Sequence, residues 1–312
     1  MTREFLYTNF GIEIEFTGMT RREAAFVVAK ALEVSESNVR FAGGCYDKYI
    51  VTDQINRKWN IVSDSSIVAE RKSRAGSTRI NNCLYKCELV SPILLYGQDI
   101  ETLQNIIRKL RQSNGLTNGS CGIHIHLDGA GHSVRSLKNF INLFASHGDL
   151  LYKALQVKNA RQYYCKKIEA SLVKSLKEGK PQTLDSLENI WYEGYSDCRD
   201  SHYNNSRYHM LNLHSFFHGG GKSTVELRCF NSELHAGKVR AYIVLALALN
   251  YQALTAKSVR AEASRQSIDN PKFAMRTWLN RIGFIGEEFK NCRKHLIKHL
   301  DGCAAWRFGN AA

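Results

Sequence analysis

The segment CGIHIHLD, Cys121 to Asp128, sets aliphatic residues against histidine in strict alternation. A β-strand repeats every two residues, so Ile123, Ile125 and Leu127 face one way while His124 and His126 face the other. Three further segments share the design. In FGIEIEFTG, Ile12, Ile14 and Phe16 oppose Glu13 and Glu15; in YKCELVSP, Cys87 and Leu89 oppose Glu88; in STVELRCFNSEL, Val225, Leu227 and Cys229 oppose Glu226 and Arg228. A sheet face that is merely solvated mixes Thr, Lys, Ser and Gln, whereas these faces select groups that bind metal ions or phosphate. With Asp64 of WNIVSDSSI added, the set is mostly hard carboxylate oxygen with a little imidazole, which suits Mg²⁺ or Mn²⁺. An arginine among the acids is a clamp for an anionic partner.

Such strands need a core behind their aliphatic face. TRREAAFVVAKALEV opens on Thr20 with Glu23 three residues on, a capping-box pattern, and Ala24, Val27, Val28, Ala31 and Leu32 form one stripe. QDIETLQNIIRKLRQS repeats the helical period through Ile100, Leu103, Ile106, Ile107 and Leu110. A mainly helical block follows the histidine strand, a long helix is expected from Gly237 to about Ser264, and another from Pro271 to Leu300. The stretch from Phe41 to Trp59 reads as a hairpin or loop near the mouth of a cleft. This order predicts an α+β fold: a curved, mainly antiparallel sheet with helices on its aliphatic face and the polar face lining the cleft. No internal repeat or linker divides the chain. Residues 1–312 therefore read as a single catalytic domain, with a mainly helical insertion at about 133–200 and a helical C-terminal region at about 237–300.

Composition bounds the rest. At 312 residues and 44% hydrophobic content the chain can bury a substantial core. AYIVLALALNYQAL is interrupted by Asn250 and too short to span a bilayer, so it reads as a buried helix, and no membrane partner is expected. MTREFLYTNF lacks the apolar stretch of a secretory signal, which predicts a cytoplasmic location. Nine cysteines without a CxxC pair fit reduced thiols; Cys83 and Cys87 would share a strand face without making a zinc spacing. A net charge of +14 favours anionic ligands. The basic run from Lys153 to Lys180 keeps nucleic acid, bound or cleaved, as an alternative partner. It is not favoured, because the basic residues lie outside the motif strands and no aromatic platform is interleaved with them. HGGGKST, His218 to Thr224, is not a phosphate-binding P-loop: the first glycine of that motif would fall on Phe216, and TVELRCF after it alternates as a strand rather than a helix. Lys222 stays available to touch an anion.

Taken in order, GIEIEF, WNIVSDSSI, CELVSPIL, CGIHIHLD, RYHMLNLHSF and TVELRCFNSELHAGKVRAYI resemble the amidoligase family, related to glutamine synthetase and γ-glutamylcysteine synthetase. The resemblance covers roughly residues 10 to 250 with gaps. It implies a glutamine synthetase-like sheet on which ATP phosphates lie across divalent ions. Glu13, a histidine of the HxH strand and Glu226 would hold one ion, and Glu15 and Glu88 another; His124 matches the ligand position better than His126, which falls beside the nucleotide. Arg228 would contact the transferred phosphate, and Arg207 and Asn212 match a segment that approaches nucleotide or substrate. Asp64 matches the acid of a DGS motif in which Ser65 here replaces the glycine. Arg228, Glu226 and Asp64 are thus the residues implied at the chemistry. The implied reaction joins a carboxylate to an amine with ATP and Mg²⁺ (or Mn²⁺), by way of an acyl phosphate. The substrates would be an amino acid, peptide or protein side chain. A phosphotransferase acting on a small molecule is the alternative on the same fold.

Overall fold

The computed structural model describes residues 3–218 and 223–308. Its strands are β1 (Asn9–Phe16), β2 (Val39–Gly43), β3 (Lys48–Thr52), β4 (Lys58–Val62), β5 (Glu70–Ser73), β6 (Gly76–Arg79), β7 (Cys87–Val90), β8 (Leu94–Leu95), β9 (Gly122–Asp128), β10 (Leu211–Asn212) and β11 (Thr224–Asn231). The helices are α1 (Arg21–Ala31), α2 (Tyr96–Gln112), α3 (Val134–Leu155), α4 (Ala170–Gly179), α5 (Leu184–Trp191), α6 (His214–Phe217), α7 (Ala236–Thr255), α8 (Arg265–Asp269), α9 (Pro271–Arg281) and α10 (Lys290–Ile297).

Nine strands form one open sheet in the order β10, β11, β9, β1, β7, β4, β3, β2, with β8 added at the start of β1. Every pairing in it is antiparallel. β5 and β6 make a separate hairpin. The stretch read as a hairpin or loop at 41–59 is a meander, β2 to β4, that widens the sheet; its turns use left-handed Asp47 and Asn56, residue types that tolerate that backbone.

The alternation predicted for the four motif strands is the one observed. Ile12, Ile14, Phe16, Cys87, Leu89, Ile123, Ile125, Leu127, Val225, Leu227 and Cys229 are all buried on the same side. Against that side lie α1, on β3 and β4, and α7, on β9; α3 packs on β11 and α7, and α2 on α1 and α7. α1 starts at the expected capping box, Thr20 accepting from Glu23 N and Glu23 answering to Thr20 N. Positions 241–249 of α7 are buried all round, which fits their unbroken apolar run, and Asn250 at its end is buried as well. Among the described residues no helix is long and apolar enough to cross a membrane. One continuous hydrophobic core reaches from Phe5 to Leu300.

Two helix boundaries differ from the expectation. α7 stops at Thr255 rather than near Ser264 because α3 supplies its C-terminal partners: Asn139 Nδ2 donates to the Ala253 and Ala256 carbonyls at 3.2 and 2.8 Å, and Asn139 Oδ1 accepts from Val259 N at 3.1 Å. The helix expected from Pro271 to Leu300 is two, α9 and α10. Gly283 and Gly286 sit between them at φ +104° and +96°, a backbone that an α-helix cannot contain. Cys83 and Cys87 do not share a face, since Cys83 lies exposed in a 3-10 turn while Cys87 is buried in β7; all nine cysteines are free thiols.

Candidate active site

Register builds the polar face. Across β1, Glu13 stands opposite His124 of β9, and Glu15 opposite Glu88 of β7. Across β11, Glu226 stands opposite His126 of β9 and Asn212 of β10. Directly opposed residues point to the same side of a sheet, so five strands deliver their polar groups to one patch. Glu15, Glu226, His124, Arg228 and Asn212 are each 6% exposed or less.

At the centre, His124 Nδ1 lies 3.0 Å from Glu13 Oε2 and 3.7 Å from Glu226 Oε1, and His124 Nε2 lies 3.7 Å from Glu15 Oε1. His126 Nε2 is 3.2 Å from Glu13 Oε1 yet misaligned for a hydrogen bond, so this buried nitrogen has no hydrogen-bond partner. Arg228 Nη1 donates to Glu226 Oε1, and Arg228 Nε to the Tyr164 carbonyl at 3.4 Å. The Asn212 amide is occupied at both ends: Nδ2 donates to Glu226 Oε2 at 2.6 Å and Oδ1 accepts from His214 N at 2.8 Å. It holds Glu226 in place.

Electrostatically the patch has two halves. Burial would raise the Glu13 carboxyl, but His126 and His124 outweigh it and hold Glu13 well below the ordinary carboxylate range. Burial likewise opposes ionisation of Glu226, and Arg228 with His126 overcomes it, bringing the group to about 2. Burial lowers His126 while Glu13 and Glu226 raise it, to about 9 in balance; His124, buried and beside Arg228, falls to about 4. The other half has too little compensating charge. Burial and the neighbouring Asp64 push Glu15 up to about 7, and burial together with Glu13 and Glu15 holds Glu88 well above its usual value. Acids packed this way take up protons unless a cation neutralises them.

Among the described residues three groups each bring their ligand atoms within 4.8 Å of one another: Glu13, His126 and Glu226; Glu13, Glu88 and His124; Glu15, Asp64 and Glu88. The residues present fit divalent metal. The donors are carboxylate oxygens with imidazole, and the acids of one half lack counter-charge. Asp64 is brought to the patch by a turn in which its Oδ1 accepts from Ser66 N at 2.6 Å. Ser65 is not among the left-handed residues, so the turn has no need of the glycine it replaces.

Among the described residues, Arg207 makes no ion pair with the carboxylates. It occupies a 3-10 turn, donates from Nη1 to the His202 carbonyl at 2.8 Å, and lies over the rings of Tyr203 and Tyr208 at 5.6 and 6.0 Å. The same loop meets the β2–β3 turn where the Tyr203 and Tyr46 hydroxyls approach to 3.3 Å. Lys222 lies outside the described residues, and its flanks run from α6 into β11, helix to strand, the reverse of a P-loop.

One residue escaped the sequence reading. Arg161, within the basic run, is 3% exposed. Its guanidinium donates to the carbonyls of Phe230 and, at 3.1 Å, Arg228, where the β9–β11 ladder shifts register between Leu227 and Phe230. It crosses Gly122 so closely that a Cβ there would sit 2.2 Å from Nη2, and its charge opposes the rise of Glu15. The available signal was a glycine inside a strand, which marks a close approach.

The chain is thus a mixed α/β protein whose open antiparallel sheet gathers carboxylates, imidazoles and a guanidinium on the face away from its main helices. Residues 7–250 match the family described as "Putative amidoligase enzyme", and the chain belongs to it. By family it is an amide-bond-forming ligase, and the match takes in every residue of the patch. No protein of curated function matches the sequence.

Proposed function

We propose that the chain is an ATP- and divalent-metal-dependent ligase that joins a carboxylate to an amine through an acyl phosphate, on a glutamine synthetase-like sheet forming a single catalytic domain. The observation that carries this reading is the pairing, on one face, of an acid cluster short of positive charge with a buried guanidinium at its edge. Mg²⁺ or Mn²⁺ would be held by Glu13, Glu226 and His126 on one side and by Glu15, Glu88 and Asp64 on the other, with His124 between them. Both histidines are ligand candidates, since the ligand atoms of His126 lie with those of Glu13 and Glu226 and the ligand atoms of His124 with those of Glu13 and Glu88. Nine free thiols suit the cytoplasm, where ATP is also abundant.

A carboxylate has no leaving group at neutral pH, so the γ-phosphoryl is first moved onto its oxygen and ADP departs. Arg228 stabilises charge on the phosphoryl in flight, and Asn212 fixes Glu226 so that Arg228 keeps its bearing. An amine then attacks the acyl carbon, phosphate leaves, and a group of the patch accepts the amine's proton. Bound metal supplies neutralisation of the triphosphate. Arg207, over its two tyrosines at the rim, is the candidate contact to nucleotide or substrate.

Hydroxylamine, a small strong nucleophile, tests this without the natural amine. With ATP, Mg²⁺ and a panel of glutamate, γ-glutamyl compounds, other amino acids and peptides, one member should yield hydroxamate and ADP together, and Glu226→Ala should yield neither. ADP release that depends on a hydroxyl acceptor and gives no hydroxamate would make the protein a phosphotransferase instead.

A further inference from the structure

A cavity of about 630 Å³, lined by none of the residues of the carboxylate patch, lies where the last turns of α2, the first turn of α7 and strand β5 meet. Lys72, Arg108, Arg111 and His235 line it with Gln104, and no Asp or Glu does so among the described residues. Lys72, Arg108 and Arg111 have no ion pair or side-chain hydrogen bond among the described residues, although Lys238 close by is paired with Glu233. His235 Nδ1 accepts from Lys238 N at 3.2 Å, which leaves the ring's proton on Nε2, a donor.

This gathering of charge is not explained by the elements that carry it. A helix C-terminus favours cations, and that accounts for Arg111 in the last turn of α2. Arg108 three residues earlier repels it on the same helix face. Lys72 arrives from a different element, and the neighbouring end of α7 is the N-terminus of a 20-residue helix, where the dipole is itself positive and the first amides have no intrahelical acceptor. Four sources of positive potential face one volume of ligand size.

We propose that this cavity is a binding site for a small polyanion bearing several phosphate or carboxylate oxygens, separate from the carboxylate patch. Arg108 and Arg111 supply planar forks for such oxygens, Lys72 a mobile point charge and His235 a ring N–H donor. None of these residues belongs to the site assigned to ligation, so the proposal stands or falls without it.

The test is calorimetry on the full chain in metal-free buffer at physiological ionic strength, with tripolyphosphate in one arm and citrate in the other. One saturable site per chain is expected for at least one of them, and the tighter arm identifies phosphate or carboxylate as the ligand chemistry. The double variant Arg108→Ala, Arg111→Ala should weaken it by about tenfold or more, and Lys72→Glu should weaken it as well. Glu226→Ala should leave it unchanged. All three cations are exposed, so folding should persist, and circular dichroism verifies it; were the double variant unfolded, Lys72→Glu alone decides. Unchanged affinity in the folded cavity variants, loss of binding in Glu226→Ala, or the absence of saturable binding in both arms overturns the proposal.

Discussion

The carboxyl of Glu226 is held from two sides, by Arg228 at one oxygen and Asn212 at the other, and this sets what each neighbour can tolerate. Arg228→Lys keeps the charge and loses the planar fork, so nucleotide affinity should survive while kcat falls by roughly 10²-fold or more, measured by steady-state kinetics beside a binding titration. The acid half predicts a pH dependence. Glu15 is raised from 4.5 to about 7, so between those values the native state binds more protons than the unfolded chain and stability falls as pH rises. His126, raised from 6.5 to about 9, continues the fall through its own window. Glu226, lowered from 4.5 to about 2, acts only below that range, where its stabilisation is lost on acidification. Below pH 6.5 His124 and His147, both lowered from 6.5 to about 4, oppose this fall, so thermal unfolding in metal-free buffer should show a midpoint that declines from pH 7 to pH 9, and Mg²⁺ should flatten the decline; a flat metal-free profile over that range speaks against the cluster. At this scale much of the patch was legible, because period-2 alternation assigns Glu13, Glu15, Glu88, His124, His126, Glu226 and Arg228 to faces without any knowledge of pairing. Which histidine meets which acid was not legible. That depends on the β1–β9–β11 register, a long-range property.

Among the elements, the clearest dependence is that of β9 on the loop before α4. Gly122 has no side chain because the Arg161 guanidinium occupies that space, so Gly122→Ala should force one or the other aside and cost about 1–3 kcal/mol in urea unfolding, with kcat reduced through Arg228 and Glu15. Asn139→Ala offers a contrast. It removes the side-chain cap at the end of α7, on the helix side of the sheet, and should cost about 1–3 kcal/mol while leaving KM unchanged. The helices that begin on local signals were readable, as with the capping box at Thr20. The end of α7 was not, since its partners sit on α3, more than a hundred residues earlier. The break between α9 and α10 was signalled by Gly283 and Gly286, glycines that helical periodicity alone passes over.

For the whole molecule, metal and nucleotide binding should be a joint property of the sheet's central strands. The double variant Glu15→Ala, Glu226→Ala removes one acid from each half and should abolish Mg²⁺-dependent binding of a non-hydrolysable ATP analogue in calorimetry, while the fold, judged by circular dichroism, persists. Retained binding would sink the metal assignment. The positive charge of the chain was evident from composition, but its concentration in one acid-free cavity was not, because Lys72, Arg108, Arg111 and His235 meet only in three dimensions.

The central place of β1 carries a last consequence. Strands β7 and β9 are each aligned on it residue by residue, and a displacement of β1 by a single position would turn Glu13 and Glu15 into the oily layer and present Ile12 and Ile14 to the ligand. Catalytic competence and correct assembly are therefore one and the same event in this chain: a preparation of half the specific activity should be a mixture of wholly competent and wholly inert molecules, and active-site titration should count the former.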